Sequence, residues 1–310
     1  MKTYLECIPC FFKQALEAAR LSGVSGKTQK KVLDEVALCI PGFPFTSSPP
    51  EMARIIYGVI KKTTGNGDPY LKIKEESNKL ALSVYPRLKK KVEHSRDSLL
   101  TAVELAIAGN IIDYGVKNIL NVEEELKRIL DKEDKVIRKE NKSIFNYKSF
   151  RSALKRSKTI LYLADNAGEV VFDRILIEEI KETHRDKKII YAVKEKPVIN
   201  DALREDAVSA GIGEKTIIIS SGVDTPGTVL SLCSKEFLKI FKRADMIISK
   251  GQGNFEALSD CKRPVFFLFM AKCPVIAKDV KCGLSDVILL YKNKRIKKEY
   301  RSRLNGSPGE

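Results

Sequence analysis

Along the first half of the chain, apolar residues recur every third or fourth position. The stretches FFKQALEAARL, TQKKVLDEVALCI, EMARIIYGVIKK, YLKIKEESNKLALSVYPRLKKKV and LLTAVELAIAGNIIDYGV all keep this spacing, which puts the apolar side chains on one face of a helix. Interruptions fall at PGFPFTSSPP and TTGNGDP, where proline and glycine end helical backbone. From residue 158 the pattern changes. Short β-branched and aromatic runs, TILYLA, KKIIYAV, KTIIIS, DMIIS, PVFFLF and DVILLY, alternate with amphipathic segments. Wholly apolar strands separated by helices indicate an α/β class, a mostly parallel sheet with helices on both faces. The pattern predicts an all-helical region over 1–155, an α/β domain over 156–300, and a flexible polar tail, RSRLNGSPGE, over 301–310.

Open α/β sheets bind ligands beyond the carboxyl ends of their strands, at the point where strand order reverses. The segments after the apolar runs are DNAGE (165–169), KEKPVIND (194–201), SSGVDTPGT (220–228), KGQGNFE (250–256) and AKC (271–273). Five strand exits thus offer acids, lysines, amides and glycines to one rim. In DNAGE a simple helix cap by Asp165 or Asn166 with a turn at Gly168 accounts for part of the composition. It does not account for the crowding of acids.

Composition narrows the chemistry. With 310 residues and 43% hydrophobic side chains the chain can bury a large core. VFFLFMA at 265–271 is far short of the roughly 20 apolar residues of a spanning helix. The opening residues carry Glu6 and lack a separate apolar core and cleavage site, so a cytoplasmic protein is expected, with no membrane partner. Seven scattered cysteines, an odd number, argue for reduced thiols rather than a disulfide framework. The formal charge of +16 raises the possibility of a nucleic-acid-binding protein. The lysines are interleaved with acids, as on solvated helices, and the basic clusters lack stacking aromatics apart from Tyr300. Attraction of small anionic substrates is the plainer consequence.

Two histidines, His94 and His184, both in hydrophilic helical contexts, leave no base for Ser-His-Asp or Cys-His catalysis. Asp165 and Asp201 supply carboxylates from neighbouring strand ends and Asn166 an amide oxygen, a set suited to a hard divalent cation. SKGQGNFEA resembles an anion cradle, with Gly251 and Gly253 freeing backbone N–H groups and Lys250 adding charge. SSGVDTPGT is either a second phosphate loop, with Ser220, Ser221 and Thr228 as donors and Asp224 as an acid, or an ordinary turn. Neither nucleotide-binding glycine fingerprint is present. Together these residues point to metal-assisted phosphate hydrolysis. An aspartyl-phosphate route is disfavoured because Ala167 occupies the place of its usual second acid. A nucleotide- or S-adenosylmethionine-dependent transferase on the same architecture lacks a glycine-rich loop after the first strand.

ECIPCF, AGNIIDYG, DNAGEVVFD, VKEKPVINDA, SKGQGNFEAL and AKCPVIA, in this order over nearly the whole chain, resemble the DUF89 family of damage-control phosphatases, in its archaeal and bacterial branch with an N-terminal CxxC. The resemblance implies a helical region packed on a Rossmann-like core and a metal-dependent phosphatase of small phosphorylated metabolites. It implies Asp165, Asn166 and Asp201 as metal ligands, with Mn, Co or Ni as well as Mg as candidate ions. It also implies a substrate pocket shaped by Glu169, Asn110, Asp113, Lys250, Gly251, Asn254, Glu256 and Lys272. Asn110 and Asp113, three apart on a helix, share one face. Glu169 is expected to orient water or substrate, and Asp173 to favour its helix N-terminus electrostatically. Cys7 and Cys10 have the spacing of half a zinc site, of a redox pair, or of a structural turn around Pro9. Oligomeric state is not encoded in these patterns.

Overall fold

The computed structural model describes residues 1–109 and 144–293. Asn110, Asp113 and the 301–310 tail lie outside them. The helical half supplies α1 (Cys7–Leu21), α2 (Gly26–Cys39), α3 (Pro49–Thr64), α4 (Leu71–Glu93) and α5 (Ser98–Ala108). Their starts follow from local chemistry. Ser25 and Asp97 accept the Thr28 and Leu100 backbone N–H groups at 3.3 and 2.9 Å, satisfying donors that a helix cannot pair internally. At α3, Glu51 reaches back to the Ser48 N–H at 2.7 Å, and Pro49 and Pro50 occupy the first turn, where a missing N–H costs nothing.

The second half contains α6 (Tyr147–Arg156), β1 (Thr159–Leu163), α7 (Glu169–Thr183), β2 (Lys188–Val193), α8 (Arg204–Ser209), β3 (Ile217–Ser220), α9 (Lys235–Arg243), β4 (Met246–Lys250), α10 (Gln252–Leu258), β5 (Val265–Met270), α11 (Pro274–Val280) and β6 (Val287–Lys292). Each strand falls on one of the six apolar runs, with β4, β5 and β6 ending one residue past theirs. Their order in the sheet is β3-β2-β1-β4-β5-β6, with β6 alone antiparallel. Successive strand side chains point to opposite faces, and the core divides accordingly. Ile160, Tyr162, Tyr191 and Ile248 pack under α4, α5 and α7, whereas Leu161, Leu163, Ile247 and Phe267 pack under α9, α10 and α11.

The apolar cores divide the helices differently from a boundary at residue 155. Helices α4, α5 and α6 share the core of the sheet, while α1, α2 and α3 close a separate cluster around Phe11, Val36, Ile56 and Ile60. This small bundle is tied to the strand exits. The Met1 amine donates to the Glu256 carbonyl at 2.7 Å and the Ser259 hydroxyl at 2.8 Å, and Arg54 pairs with Asp224 at 2.6 Å.

Phe172, 1% exposed, joins α7 to the end of α5, where its ring fits against Gly109 so closely that a Cβ there would meet it at 2.8 Å. Phe172→Ala should therefore lower the unfolding free energy by about 3–5 kcal/mol, the usual cost of emptying a fully packed aromatic site. Urea denaturation followed by far-ultraviolet circular dichroism checks this.

Candidate functional site

After β1 the chain builds outward through β2 and β3, then returns to add β4 on the other side of β1. The reversal opens a crevice above the β1 and β4 ends. Two loops are stitched together at its floor. Ala202 N–H donates to the Asp165 carbonyl at 2.8 Å, Ala167 N–H to the Asn200 carbonyl at 2.9 Å, and Asn166 and Asp201 form an isolated antiparallel bridge. Asp165, Asn166 and Asp201, 36 positions apart at the extremes, are thus neighbours through backbone pairing. Ile199, two residues before Asp201, has φ 45° and packs against the α1–α3 cluster. A β-branched residue in the left-handed region is costly, and the bent backbone lets an apolar side chain reach the bundle two residues before a carboxylate faces the cleft.

The floor is crowded with charge. Asp165, Glu169, Asp173 and Asp201 are all buried, and among the described residues Lys194 and Lys250 are the buried ammonium groups paired with them. Lys194 approaches Asp201 at 3.3 Å. Lys250 lies 2.7 Å from Asp173 and 3.2 Å from Glu169. Burial alone would lower the Lys250 pKa, but Asp173 and Glu169 outweigh it and hold the ammonium above its ordinary range. Burial, with Glu169 and Asp201 close by, pushes the Asp165 carboxyl well above the usual carboxylate range, opposed by Lys272 and Lys194. Four carboxylates face two buried ammonium groups.

The Asn166 amide nitrogen donates to Asp165 Oδ2 at 3.0 Å and to Glu169 Oε1 at 2.9 Å. With its nitrogen committed to carboxylates, its oxygen lies on the opposite side of the amide carbon. Gly168, at φ 79°, turns the chain into α7, and Asn78 of α4 accepts its N–H at 2.7 Å. Opposite, Gly251 at φ 81° comes so near that a Cβ would lie 2.0 Å from the Asp165 carboxylate. Glycine is required there for close approach as well as for its dihedral angle.

A cavity of about 350 Å³ stands over this floor. Asp165, Asn166, Asp201, Lys272, Glu256 and Gly253 line it from the α/β side. Its other wall is the helical bundle, through Cys7, Cys10 and Phe11 of α1 and Pro49, Pro50 and Ala53 of α3. Lys272 is exposed on the rim. Burial pushes the Glu256 carboxyl up to about 7, partly offset by a hydrogen bond from Gln252 and by the Met1 amine.

Several expected pocket residues lie beneath the cleft instead. Lys250 is 1% exposed and paired to two acids, so its ammonium does not reach the cavity. The Gly251 N–H donates to the Leu268 carbonyl at 3.0 Å and is spent in the sheet, leaving no anion cradle at that position. Asn254, fully buried, uses its amide on the Ala164 and Lys250 carbonyls at 2.9 and 2.8 Å and its oxygen on Thr228. It clamps the β1 exit to the β4 exit. The Ser221 hydroxyl donates to the Val193 carbonyl at 2.9 Å, Ser220 to Glu195, and Asp224 pairs with Arg54, so these polar groups are spent on neighbouring elements. Glu169 sits behind Asn166, 1% exposed.

Other residues enter unexpectedly. Lys194 is the first residue past β2, a position whose signal was the recurrence of charge at strand exits. The bundle wall had no local signal, because α1 meets the β-strand exits only through tertiary packing. Cys7 and Cys10 line the cleft as free thiols, and burial raises the Cys7 pKa.

Among the described residues, no three Asp, Glu, His or Cys side chains converge as a metal cage. The fit of a divalent cation rests on the donor set of two carboxylates and one amide, on the surplus of buried negative charge, and on the glycine that makes room beside Asp165. Hard oxygen donors with positions left for water or phosphate suit such an ion.

A family model described as the damage-control phosphatase ARMT1-like domain matches residues 3–288. The chain is 35% identical over 284 residues to a damage-control phosphatase of Pyrococcus horikoshii, covering 91% of this chain and 95% of that one. It is 32% identical over 292 residues to a damage-control phosphatase of Archaeoglobus fulgidus, covering 93% and 98%. The crystal structure of a DUF89 family protein from Pyrococcus horikoshii matches with a TM-score of 0.85 at 32% identity, over 94% of this chain and 99% of that chain.

Gly251→Ala should destabilise the protein by more than the roughly 1–3 kcal/mol of strain that its φ 81°, ψ 160° backbone imposes on alanine, since its Cβ must also displace Asp165; urea denaturation measures the excess. Glu256 gives a pH signature. Its folded pKa of about 7 lies above the ordinary 4.5, so the folded state binds the extra proton and stability is lost as pH rises through that window. Thermal melts of Glu256→Gln should show a smaller decline than wild type over the same range.

Proposed function

The chain belongs to the damage-control phosphatase ARMT1-like family, a family of phosphatases, and from that premise we propose that it hydrolyses small phosphorylated metabolites with a divalent cation held by Asp165, Asn166 and Asp201. The observation that carries this reading is the buried surplus of carboxylates at the strand-order reversal, directly under the cleft. When bound, such an ion polarises the phosphoryl group and acidifies a coordinated water. The remaining work falls to the chain. Lys272 on the rim carries positive charge for the phosphate. Lys194 balances part of the charge on Asp201. Glu169 holds the Asn166 amide in place.

The walls bear on substrate size. A cavity of about 350 Å³ with Phe11, Pro49, Pro50 and Ala53 on one side is suited to a compact leaving group such as a sugar or a cofactor fragment. Mn, Co, Ni and Mg all accept oxygen ligands. A cytoplasmic setting goes with this reading: all seven cysteines are free thiols. Among the described residues no helix is long and apolar enough to cross a membrane.

Exhaustive dialysis against a chelator should abolish hydrolysis of p-nitrophenyl phosphate, and added Mn²⁺ should restore it. Asp165→Asn, which keeps shape and loses charge, should reduce turnover by more than the roughly 100-fold typical of outer ligand-supporting residues while circular dichroism stays native. Full activity after metal removal would sink the reading.

A further inference from the structure

Asp173 was expected to do no more than favour the N-terminus of its helix. It is instead a fully buried hub, 0% exposed. Lying one turn after Glu169, it shares that residue's helix face. Tyr162 of β1 and Tyr191 of β2 each donate a phenol hydrogen bond to it at 2.7 Å, one to each oxygen. Their rings stack at 5.3 Å with an interplanar angle of 27°, and both are fully buried. Burial, and then the charge of Asp173 itself, pushes both phenols well above their ordinary range, so both remain donors. The third contact of Asp173 is Lys250 at 2.7 Å.

Lys250 extends the chain of contacts toward the cleft. Its ammonium also donates to Glu169 Oε2 at 3.2 Å, and the other Glu169 oxygen accepts the Asn166 amide at 2.9 Å. One line of charge-assisted bonds thus runs from two core tyrosines through Asp173, Lys250 and Glu169 to Asn166 and Asp165. Buried ionic clusters are a poor source of net stability, since apolar residues of similar volume often serve as well. What this cluster supplies is orientation: three elements, β1, β2 and β4, must all be in register for Glu169 to face Asn166.

We propose that Asp173, held by Tyr162 and Tyr191, is a positioning residue of the metal site: it fixes Lys250, which fixes Glu169, which turns the Asn166 amide oxygen toward the place where Asp165 and Asp201 bind the cation. This rests on the metal reading given above. The hydroxyls of Tyr162 and Tyr191 act at a distance, touching neither substrate nor ion. Without them, Asp173 draws more fully on Lys250, the Lys250 hold on Glu169 slackens, and Glu169 no longer fixes the orientation of the Asn166 amide.

The test is direct Mn²⁺ binding, by titration with electron paramagnetic resonance of free Mn²⁺, in wild type, Asp165→Asn, Tyr191→Phe and the double variant Tyr162→Phe/Tyr191→Phe. The double variant keeps both rings and removes two hydroxyls. It should bind Mn²⁺ about 10–100-fold more weakly, the range for groups that orient metal ligands, with Tyr191→Phe intermediate and native circular dichroism in both. A purely structural role would lower the melting temperature and leave Mn²⁺ affinity unchanged; that result overturns the proposal while Asp165→Asn still loses the ion. If the double variant does not fold, Tyr191→Phe and Asp173→Asn carry the same comparison. Wild-type Mn²⁺ affinity in Asp165→Asn would instead overturn the metal reading, and this inference with it.

Discussion

Among the described residues, four buried carboxylates share two buried ammonium groups at the end of the central strand. Removing charge from water is expensive, and an unbalanced cluster is the more so. Most features of the site answer that constraint. Lys250 serves Glu169 and Asp173 at once, and Lys194 serves Asp201. The Asn166 amide lies between Asp165 and Glu169, donating to both, so two like charges are bridged by a donor. The carboxylates that line the cleft are Asp165 and Asp201, and burial there raises the Asp165 pKa. A divalent ion is the complement of that pair.

The fold holds this arrangement by making the site a meeting of backbones. Asn254 ties the exits of β1 and β4, Asn78 ties α4 to Gly168, and Gly251 permits contact that any side chain would forbid. Gly253 and Gly227 act similarly at the edge of the cleft: a Cβ on Gly253 would fall 1.9 Å from the Pro226 carbonyl, and one on Gly227 would crowd Pro50. The helical bundle is thereby seated against the strand exits with its proline-rich α3 start as a wall. Ionic floor and apolar wall come from opposite halves of the chain.

Much of this was legible in the chain itself. The six strands follow apolar runs that the pattern picks out, most plainly β1, β2 and β5, since a strand buried on both faces is apolar almost throughout. The acids at the β1 and β2 exits stood out because a loop needs none of them. Periodicity could not distinguish a residue that reaches the cleft from one that braces it. Lys250, Asn254 and Ser221 sit at strand exits as pocket residues would, yet each turns inward to satisfy buried backbone or charge. Asp173 resembled a helix-terminus acid because its partners, Tyr162 and Tyr191, sit on two different strands. The role of the α1–α3 bundle was hidden for the same reason: its amphipathic helices announce a core, and only the tertiary arrangement says what its other surface covers.

The central claim is that Asp165, Asn166 and Asp201 form one cation site at the strand-order reversal. The most direct measurement is an anomalous difference map from crystals grown with Mn²⁺. A single strong peak within coordination distance of the carboxylate oxygens of Asp165 and Asp201 and the amide oxygen of Asn166 is the predicted result. A peak held by other residues, with those three oxygens left without an ion, would contradict it.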